Sequence, residues 1–575
     1  MLSWALRPGV IFASLASADV PRRLASYFGS DRLFSRLLVS AANVSTMLFH
    51  DEWLAHPQID STCCRLFIQK TMKCSIEGLI FYRPVSKHLL GVLFMGIVES
   101  MKASMLRQAG KYVGSVVRNS STENIGRLFG TVATLTKEPT KSGLKKLTQM
   151  AKEEHPMIVS WQNVFKRSSP KAVEKAMTNL VVNEFALGEK IRQEKMLEHE
   201  VVIPKLLVIS PTYACNLNCV GCYAGLYGRK YQLSKEEVSS IIRQANELGI
   251  YFFIITGGEP FVWPHLLEIF EEFNDSYFQV YTNGTLITKE VAKKLGELGN
   301  ATFAVSVEGF EGETDWRRGR GTFNKIKQAW EILREAGVIY GTSVTATRLN
   351  HEVMMKDEFW QFLKDEGVSY AWVFQFMPVG MNPSMDLVPT PEQRYERFFK
   401  TEQERLGGDF AFVADFWNHG FLTNGCLAAG AKYLHVNAKG YVEPCVFQQF
   451  AVDSIREKSL LEILKSPFFT AYKRMVPYSN NLFRPCPIID NPKVLRAMVN
   501  KFNAIPQHDG SENVVTELAG QLDELAAGWK EYADKLYYEE GFAETHPAHR
   551  GVYDFDVRMR KYANNEEKLA IDKKP

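Results

Sequence analysis

The stretch that decides the fold is Leu206–Tyr223, which reads LLVISPTYACNLNCVGCY. Its first part is a short apolar run with β-branched residues, which predicts a buried strand. Its second part places three cysteines, Cys215, Cys219 and Cys222, within eight residues directly after that strand. Three thiolates on so short a loop predict a site for a metal or an iron–sulfur cluster in a reducing compartment.

Downstream of that stretch, β-branched or aromatic runs alternate with amphipathic helical patterns. The predicted strands are Leu206–Ser210, Phe252–Thr256, Phe278–Thr282, Thr302–Val307, Tyr340–Ala346 and Ala371–Phe376. The predicted helices between them are Ser234–Leu248, Pro264–Phe273, Lys289–Leu298, Asn324–Ala336 and Lys356–Glu366. This alternation predicts parallel strands with right-handed crossovers. Six strands fall short of the eight of a closed barrel, so we expect an α/β fold with a partial (β/α)6 barrel and its chemistry at the carboxyl ends of the strands.

Length and composition exclude several classes of protein for the chain as a whole. The 575 residues are 46% hydrophobic and 23% charged, which is ordinary for a globular chain and excludes wholly disordered and collagen-like proteins. The length excludes a small disulfide scaffold. Nine cysteines are an odd number, which disfavours a fully paired secreted framework.

The cysteine triplet fits an iron–sulfur cluster better than zinc. A structural zinc site needs four ligands, and no fourth ligand lies near the triplet in the sequence. A [4Fe–4S] cluster held by three cysteines leaves one iron open to a substrate or cofactor. A zinc-binding scaffold and an iron–sulfur electron carrier are the alternatives that are not enzymes.

The spacing Cys-x3-Cys-x2-Cys followed by the aromatic Tyr223 resembles the signature of the radical S-adenosylmethionine (SAM) enzymes. The resemblance implies that Cys215, Cys219 and Cys222 are the catalytic centre and hold a [4Fe–4S] cluster whose open iron binds exchangeable SAM. It also implies reductive cleavage of SAM to a 5′-deoxyadenosyl radical. That radical would abstract hydrogen from an unactivated C–H bond.

Two glycine-containing motifs at later strand ends extend the resemblance. Gly257 and Gly258 precede Glu259 after the second predicted strand, as in the family's GGEP motif. Glycines permit close backbone approach, and Glu259 can accept from a protonated amine. Asn283 ends the third strand in a Thr-Asn-Gly segment like that of the family. The resemblance makes these four residues, and Tyr223 after the cysteine triplet, cofactor contacts, whereas each glycine-containing motif alone could be a plain turn.

The fourth predicted strand ends in charged and hydroxyl residues. Ser306 and Glu308 stand where the family often has Ser-x-Asp, with both groups facing the ribose or the methionine part of SAM. The resemblance also implies that one of Arg317, Arg318 and Arg320 binds the SAM carboxylate; Arg318 is chosen, and the other two are then interpreted as solvated side chains. Weaker SAM contacts are expected at Asn350 and Gln375.

A third cysteine group resembles the SPASM and twitch extensions that bind auxiliary iron–sulfur clusters. Cys426 and Cys445 flank a hairpin predicted around Ala438–Gly440, and Cys486 follows without the second cysteine of the usual Cys-Pro-x-x-Cys element. Three thiolates predict one auxiliary [4Fe–4S] cluster whose fourth iron is bound by Asp490, by substrate or by water. The alternative is that these cysteines are plain thiols.

Changes in charge, hydrophobicity and predicted secondary structure along the sequence divide the chain into four predicted regions. They are a helical, basic and apolar N-terminal region at 1–200, a radical SAM core at 201–390, a SPASM/twitch-like region at 391–500 and a C-terminal helical tail at 501–575. Helices are also predicted at Leu33–Leu48, Leu89–Val117, Pro170–Glu198, Leu460–Met475 and Val515–Tyr538. Cys63, Cys64 and Cys74 lack companion ligands and are interpreted as buried thiols.

Charge distribution is the one pointer to the substrate. Residues 1–150 carry 19 Lys+Arg and 9 Asp+Glu, although the formal net charge of the chain is only +3. The longest apolar run, Leu89–Val98, is half of the roughly 20 residues that cross a bilayer, and Met1–Val20 is a poor signal peptide. The basic, apolar section favours a lipid or membrane-associated substrate at an anionic membrane surface, with peptide maturation as the alternative.

The remaining expectations concern partners and location. The resemblance implies a reducing electron donor such as ferredoxin or flavodoxin, and no nucleic acid is predicted as a partner. The expected location is cytoplasmic, with peripheral association at the inner face of the membrane.

Overall fold

The structure, a computed structural model, describes residues 107, 118, 120–134, 140–380 and 383–557. The helix predicted at Leu33–Leu48, nearly all of that at Leu89–Val117, and Cys63, Cys64 and Cys74 lie outside these residues. No helix in the described ranges is long and apolar enough to cross a membrane.

Helices precede the sheet in the described part of the chain. They are α1 (Thr122–Thr134), α2 (Thr140–Lys152), α3 (Pro156–Arg167), α4 (Pro170–Lys175) and α5 (Glu189–His199), with a π-helical segment, Ala176–Gly188, between the last two. Together α4, the π-helical segment and α5 cover the helix predicted at Pro170–Glu198. The Ser169 side chain accepts a hydrogen bond from the backbone N–H of Ala172, which caps the start of α4.

A repeating strand–helix pattern follows. Its strands are β1 (Leu207–Thr212), β2 (Phe252–Gly257), β3 (Tyr277–Thr282), β4 (Ala301–Ser306), β5 (Tyr340–Ala346), β6 (Tyr370–Gln375) and β7 (Phe412–Asp415). Its helices are α6 (Lys235–Glu247), α7 (Leu266–Glu272), α8 (Lys289–Leu298), α9 (Glu311–Arg318), α10 (Thr322–Glu335), α11 (His351–Met355), α12 (Asp357–Asp365) and α13 (Pro391–Gly407). All six predicted strands are confirmed, with ends that differ by no more than two residues.

The seven strands β1 to β7 pair in sequence order, and every pair is parallel. This confirms the predicted α/β class. Among the described strands β7 does not pair with β1, so the sheet is open rather than a closed barrel. The strand β7 was not predicted, because four residues are too few for a clear hydrophobic pattern.

The sheet is buried because its helices cover it with apolar faces. All six residues of β1 are buried. Val238, Ile241, Ile242 and Ala245 of α6 recur at helical spacing and are buried in the same core. The helix starts at a capping box in which Ser234 accepts from Glu237 N and the Glu237 side chain accepts from Ser234 N, which satisfies two backbone donors at the start of the helix.

After β7 the chain adds strands to the opposite edge of the sheet. These are β8 (His435–Val436), β9 (Tyr441–Glu443) and β11 (Asp453–Ser454), while β10 (Phe450–Ala451) and β12 (Ile505–Pro506) form a separate pair. The hairpin predicted around Ala438–Gly440 is confirmed by the antiparallel pairing of β8 with β9. Since β8 is parallel to β1, the C-terminal region continues the same sheet.

The remaining helices are α14 (Leu460–Lys465), α15 (Pro467–Met475), α16 (Pro492–Phe502), α17 (Ala519–Asp534) and α18 (Phe542–Thr545), with a π-helical turn at Lys535–Glu539. Short 3₁₀ turns lie at Pro260–Val262, Met385–Leu387, Asn418–Thr423 and Ser511–Val514. The single helix predicted at Leu460–Met475 is wrong in one respect. Ser466 ends the first half and caps the second, because Pro467 lacks the N–H that a continuous helix needs.

A buried polar network joins β1 to β8 and β9. Ser210 Oγ lies 2.7 Å from His435 Nε2, and His435 Nδ1 lies 2.6 Å from Glu443 Oε2. Tyr227 donates its hydroxyl proton to Glu443 Oε1 at 2.8 Å. All four residues are at most 1% exposed, so none of these side chains is accessible to a substrate. The network therefore ties the C-terminal strands to the first strand of the sheet.

Candidate active site and auxiliary cysteine pocket

The cysteine loop, residues 213–223, leaves the carboxyl end of β1. Cys215, Cys219 and Cys222 are all partly exposed, so the loop is open to a ligand. Partial burial raises the pKa of the Cys215 thiol to about 11 and raises that of Cys222. Gly221 has φ +64°, and a Cβ there would lie 2.3 Å from the Phe376 ring, so the tight turn of the loop requires glycine.

The Gly-Gly-Glu segment after β2 packs against the backbone that leads into the cysteine loop. Gly258 N donates to Thr212 O at 2.8 Å, and Glu259 N donates to Ala214 O at 2.9 Å. A Cβ on Gly258 would lie 2.2 Å from Ala214 O, which only glycine avoids. The structure thus brings Gly257, Gly258 and Glu259 beside the cysteines, as the sequence predicts.

Glu259 is buried where the ends of β2 and β3 meet. Its carboxylate accepts from Thr282 Oγ1 at 2.7 Å, from Asn283 N at 2.7 Å and from Phe261 N at 3.1 Å. Burial raises the pKa of this carboxyl. These bonds make Glu259 an anchor between two strand ends, and its contact with a SAM amine stays a prediction.

Asn283 links the end of β3 to the cysteine loop. Its Nδ2 donates to Asn216 Oδ1 at 2.9 Å, and its Oδ1 accepts from Thr285 N at 2.9 Å. Asn216 lies next to Cys215 in the sequence. Sequence reasoning missed Asn216, although its position between two cysteines that are predicted ligands was a usable signal.

Glu308 and two arginines form the charged side of the site. Arg318 donates to Glu308 Oε1 from Nε at 2.9 Å and from Nη2 at 2.6 Å, while Arg317 Nη1 lies 2.5 Å from the same oxygen. Arg318 Nη1 is 4.0 Å from Cys219 Sγ. The interpretation of Arg317 as a solvated side chain is wrong, because it is 9% exposed and paired; Arg320 is exposed as expected.

Glu308 contacts both arginines through a single carboxylate oxygen. Its other oxygen accepts from Thr345 N at 3.0 Å, which fixes the carboxylate against β5. Ser306 lies at the end of β4, with its hydroxyl 3.0 Å from that of Ser343. The two predicted residues thus share one edge of the sheet with the cysteine loop.

The two weaker candidates for SAM contact already have protein partners. Asn350 accepts from Thr347 N at 2.7 Å and donates to Glu308 O at 2.8 Å, so it shapes the loop after β5. Gln375 accepts from Arg397 Nη2 at 3.0 Å within a buried ion pair. These bonds give both side chains structural roles.

The second cysteine group surrounds a buried space, here called the auxiliary pocket. Cys426, Cys445 and Cys486 are buried, and all three line one small cavity of about 20 Å³. Burial raises the pKa of Cys426 to about 12 and raises those of the other two thiols. The Tyr433 hydroxyl lies 3.1 Å from Cys445 Sγ, and the Trp417 side chain hydrogen-bonds to Cys486.

The donor set of the pocket fits an iron–sulfur cluster better than a single ion. Within the described residues, no three His, Cys, Asp or Glu side chains converge closely enough to hold one metal ion. The thiolates that hold a cluster bind different irons, so they need not converge on one point. Three thiols around one apolar cavity match that requirement.

Asp490 is not free to complete the set. Arg394 Nη1 donates to its Oδ1 at 2.6 Å, and Cys486 N donates to its Oδ2 at 2.9 Å. Arg394 is itself 2% exposed and Asp490 is fully buried. The carboxylate therefore neutralises a buried arginine, and the expectation that it binds iron has no support in this geometry.

The cysteine loop and the auxiliary pocket are neighbours. Tyr223, next to Cys222, packs edge-on against Phe447 of the pocket with ring centroids 5.4 Å apart. The Gln449 Nε2 donates to Tyr223 O at 2.8 Å, and the Tyr223 hydroxyl lies 2.9 Å from Thr256 Oγ1. Tyr223 thus connects the two cysteine groups.

Comparison with known proteins agrees with both sites. Residues 209–365 match the radical SAM superfamily, and residues 426–487 match the SPASM iron–sulfur cluster-binding domain. These families imply a [4Fe–4S] cluster, SAM and auxiliary iron–sulfur binding.

Similar proteins include two kinds of enzyme. The AdoMet-dependent heme synthase of Methanosarcina barkeri is 28% identical over 290 residues, which cover 45% of this chain and 82% of that protein. The mycofactocin maturase MftC of Mycobacterium ulcerans is 30% identical over 266 residues, which cover 44% of this chain and 71% of that protein. The crystal structure of Streptococcus suis SuiB bound to S-adenosylmethionine matches 60% of this chain and 81% of its own at 16% identity, with a TM-score of 0.42. The chain therefore belongs to the radical SAM superfamily, among the members that carry a SPASM iron–sulfur cluster-binding domain.

Proposed function

We propose that the protein cleaves SAM reductively at the cysteine loop and uses the resulting radical to abstract hydrogen from a peptide. The observation that carries the first part is the convergence of Cys219, Arg318 and Glu308 at the carboxyl ends of β1 and β4. The partly exposed thiols and the fixed guanidinium form one open site there.

The chain's own residues would bind and orient SAM. When bound, the [4Fe–4S] cluster and SAM supply the electron and the 5′-deoxyadenosyl radical for hydrogen abstraction. Arg318, held by Glu308, offers its guanidinium to the SAM carboxylate. The backbone at Gly257 and Gly258 leaves room for close approach of the methionine part, and Ser306 and Asn283 offer polar contacts from the neighbouring strand ends.

The auxiliary pocket would hold a second [4Fe–4S] cluster, bound by Cys426, Cys445 and Cys486. Its contact with the cysteine loop through Phe447 and Tyr223 supports a role in taking an electron from the product radical. A small reducing protein such as ferredoxin or flavodoxin would supply the electron at the cysteine loop.

A peptide is the substrate class that the maturases among the relatives support, whereas the heme synthases are named for a different product. The 30% identical relative is a maturase, and the match spans 71% of its length. The lipid substrate and the membrane surface predicted from the basic N-terminal section have no support among the described residues or these relatives. The proposal therefore places peptide maturation before lipid modification.

Reductive cleavage is tested by anaerobic reconstitution with iron and sulfide, followed by dithionite and SAM. We expect 5′-deoxyadenosine from the wild-type protein and none above background from Cys219→Ala. Arg320→Ala is the matched control for Arg318→Ala, since Arg320 is exposed. Equal amounts of 5′-deoxyadenosine from the wild type and Cys219→Ala would contradict reductive cleavage of SAM at the cysteine loop.

The substrate class is tested with heat-treated extract from cells that express the protein, separated into peptide, tetrapyrrole and lipid fractions. The peptide fraction should raise 5′-deoxyadenosine formation above the rate without substrate. Mass spectrometry should show a peptide in that fraction whose mass has decreased by lost hydrogen. Stimulation by the lipid or tetrapyrrole fraction alone would contradict the peptide assignment and leave SAM cleavage standing.

A further inference from the structure

One polar side chain in the auxiliary pocket has no partner. Gln448 lines the pocket together with the three cysteines, and only 1% of its surface is exposed. Its Oε1 is buried and makes no hydrogen bond to any described residue. A buried amide oxygen without a partner destabilises the folded protein, so its position calls for a ligand.

The backbone holds Gln448 against the cysteines. Gln448 N donates to Cys445 O at 3.1 Å, and Phe450 N donates to Gln448 O at 2.8 Å. Residues 445 and 448 also form an isolated antiparallel bridge. Both backbone groups of Gln448 are therefore hydrogen-bonded, and the residue is held at the end of a tight turn that begins at Cys445.

Among the described residues no other side-chain oxygen lines the pocket, although the Tyr433 hydroxyl lies 3.1 Å from Cys445 Sγ outside that lining. Apart from the cysteines and Gln448, its lining consists of aromatic, aliphatic, proline and glycine residues. Trp417 can only donate, and its side chain already hydrogen-bonds to Cys486. Asp490 is occupied by Arg394, as described above.

Charge also favours an amide. A [4Fe–4S] cluster with three thiolates already carries net negative charge, and burying a further charge without a partner is costly. A neutral carbonyl oxygen completes the coordination without adding charge. It also gives the cluster a higher reduction potential than a fourth thiolate would.

We infer that Gln448 Oε1 is the fourth protein ligand of the auxiliary [4Fe–4S] cluster, completing a set with Cys426, Cys445 and Cys486. The inference rests on the proposed presence of that cluster and is independent of SAM cleavage and of the substrate. It makes the auxiliary cluster fully bound by the chain, with no iron left open.

The test uses the full chain with Cys215, Cys219 and Cys222 all replaced by alanine, so that only the auxiliary cluster forms. This background protein is reconstituted with iron and sulfide, reduced, and followed by electron paramagnetic resonance (EPR) as imidazole is added. The same background carries Gln448→Leu, Gln448→Cys or the matched control Gln279→Leu. Gln279 is also a buried glutamine with an unpartnered side-chain atom, but it lies in β3.

We expect about four irons per chain in the background protein and an EPR spectrum that imidazole does not change. In Gln448→Leu, imidazole should shift the g-values in a saturable way, because one iron is now open. Gln448→Cys should be insensitive to imidazole and have a lower reduction potential, whereas Gln279→Leu should match the background.

Each other outcome also decides the matter. Loss of the cluster in Gln448→Leu, with retention in Gln448→Cys and Gln279→Leu, supports the assignment. Equal imidazole responses of the background and Gln448→Leu, or no response in either, overturn it. A background protein without iron overturns both this inference and the proposed auxiliary cluster, and leaves SAM cleavage untouched.

Discussion

The cysteine loop and the auxiliary pocket hold the same number of thiols in opposite surroundings. The thiols of the loop are partly exposed and lie beside a paired arginine, whereas those of the pocket are buried among aromatic and aliphatic side chains. Because an exchangeable cofactor has to enter and leave, the first surroundings suit SAM. The second suit a cluster that stays in place. The same residue type is thus suited to two different proposed roles by the side chains that surround it.

Removing the three cysteines of the auxiliary pocket should have the largest effect on the difference between the two cysteine groups. We expect Cys426→Ala/Cys445→Ala/Cys486→Ala to lower the iron content from about eight to about four per chain. Cleavage of SAM without substrate should persist, while modified peptide disappears. Iron analysis, 5′-deoxyadenosine and product mass are measured on one preparation, and unchanged iron content would show that the pocket holds no cluster.

The buried ion pair next to the pocket should have the next largest effect. Arg394→Met leaves Asp490 charged, buried and unpaired, which costs about 3–5 kcal/mol in the free energy of unfolding. Arg496→Met is the matched control, since Arg496 and Asp523 form a more exposed pair that contributes about 1 kcal/mol or less. Denaturant unfolding of the cluster-free proteins measures the free energy of unfolding of both variants. Equal decreases in Arg394→Met and Arg496→Met would contradict the role of Arg394 in neutralising the buried Asp490.

Glu308 should tune the open site by a smaller amount. Replacement by glutamine removes the charge that holds Arg317 and Arg318, so we expect a rise of roughly 10–100-fold in the KM for SAM. The KM of Glu308→Asp for SAM should lie between those of the wild type and Glu308→Gln, because the shorter aspartate side chain reaches fewer donors. Glu311→Gln, an exposed change in α9, serves as the control. A KM unchanged in Glu308→Gln would separate this carboxylate from SAM binding.

The smallest effect concerns pH and a buried lysine on the C-terminal side. Burial lowers the pKa of Lys473 from its ordinary 10.5 to about 7, and its Nζ donates only to backbone oxygens, including Leu464 O at 2.7 Å. Between these values the unfolded chain holds a proton that the folded chain has lost, so folding stability rises with pH.

Lys473→Met should lack this contribution, which is at most about 1.4 kcal/mol per pH unit. The quantity to measure is the difference in unfolding free energy between wild type and variant at pH 7.5 and at pH 9.5. Titration of the cysteines is common to both proteins and cancels in that difference. A constant difference would show that Lys473 is charged in the folded protein.

The sequence predicts the strands well because each is buried and rich in β-branched or aromatic residues. It misses β7, with only four residues, and the break at Ser466, where a helical pattern runs through a capping serine and a proline. Local patterns specify which segments are strands. They do not show that β8 pairs with β1, since that contact joins residues more than 200 positions apart.

The candidate site shows the same division. Motif spacing identifies the cysteines and the glycine segments, because their chemistry depends on neighbours in the chain. The pairing of Arg317 with Glu308 and the occupation of Asp490 by Arg394 depend on side chains brought together by the fold. Gln448 carries no sequence signal, since only its burial without a partner distinguishes it from Gln449.

The pairing of β8 with β1 sets a rule for building chimeras. A cassette cut at residue 390 and moved into another radical SAM scaffold would leave His435 without Ser210 and Glu443 without Tyr227. A graft of the cluster-binding region would therefore have to bring along its own first strand, β1, and Tyr227. In this fold the unit that can be exchanged is discontinuous in sequence, and any transplant designed as one contiguous segment should misassemble.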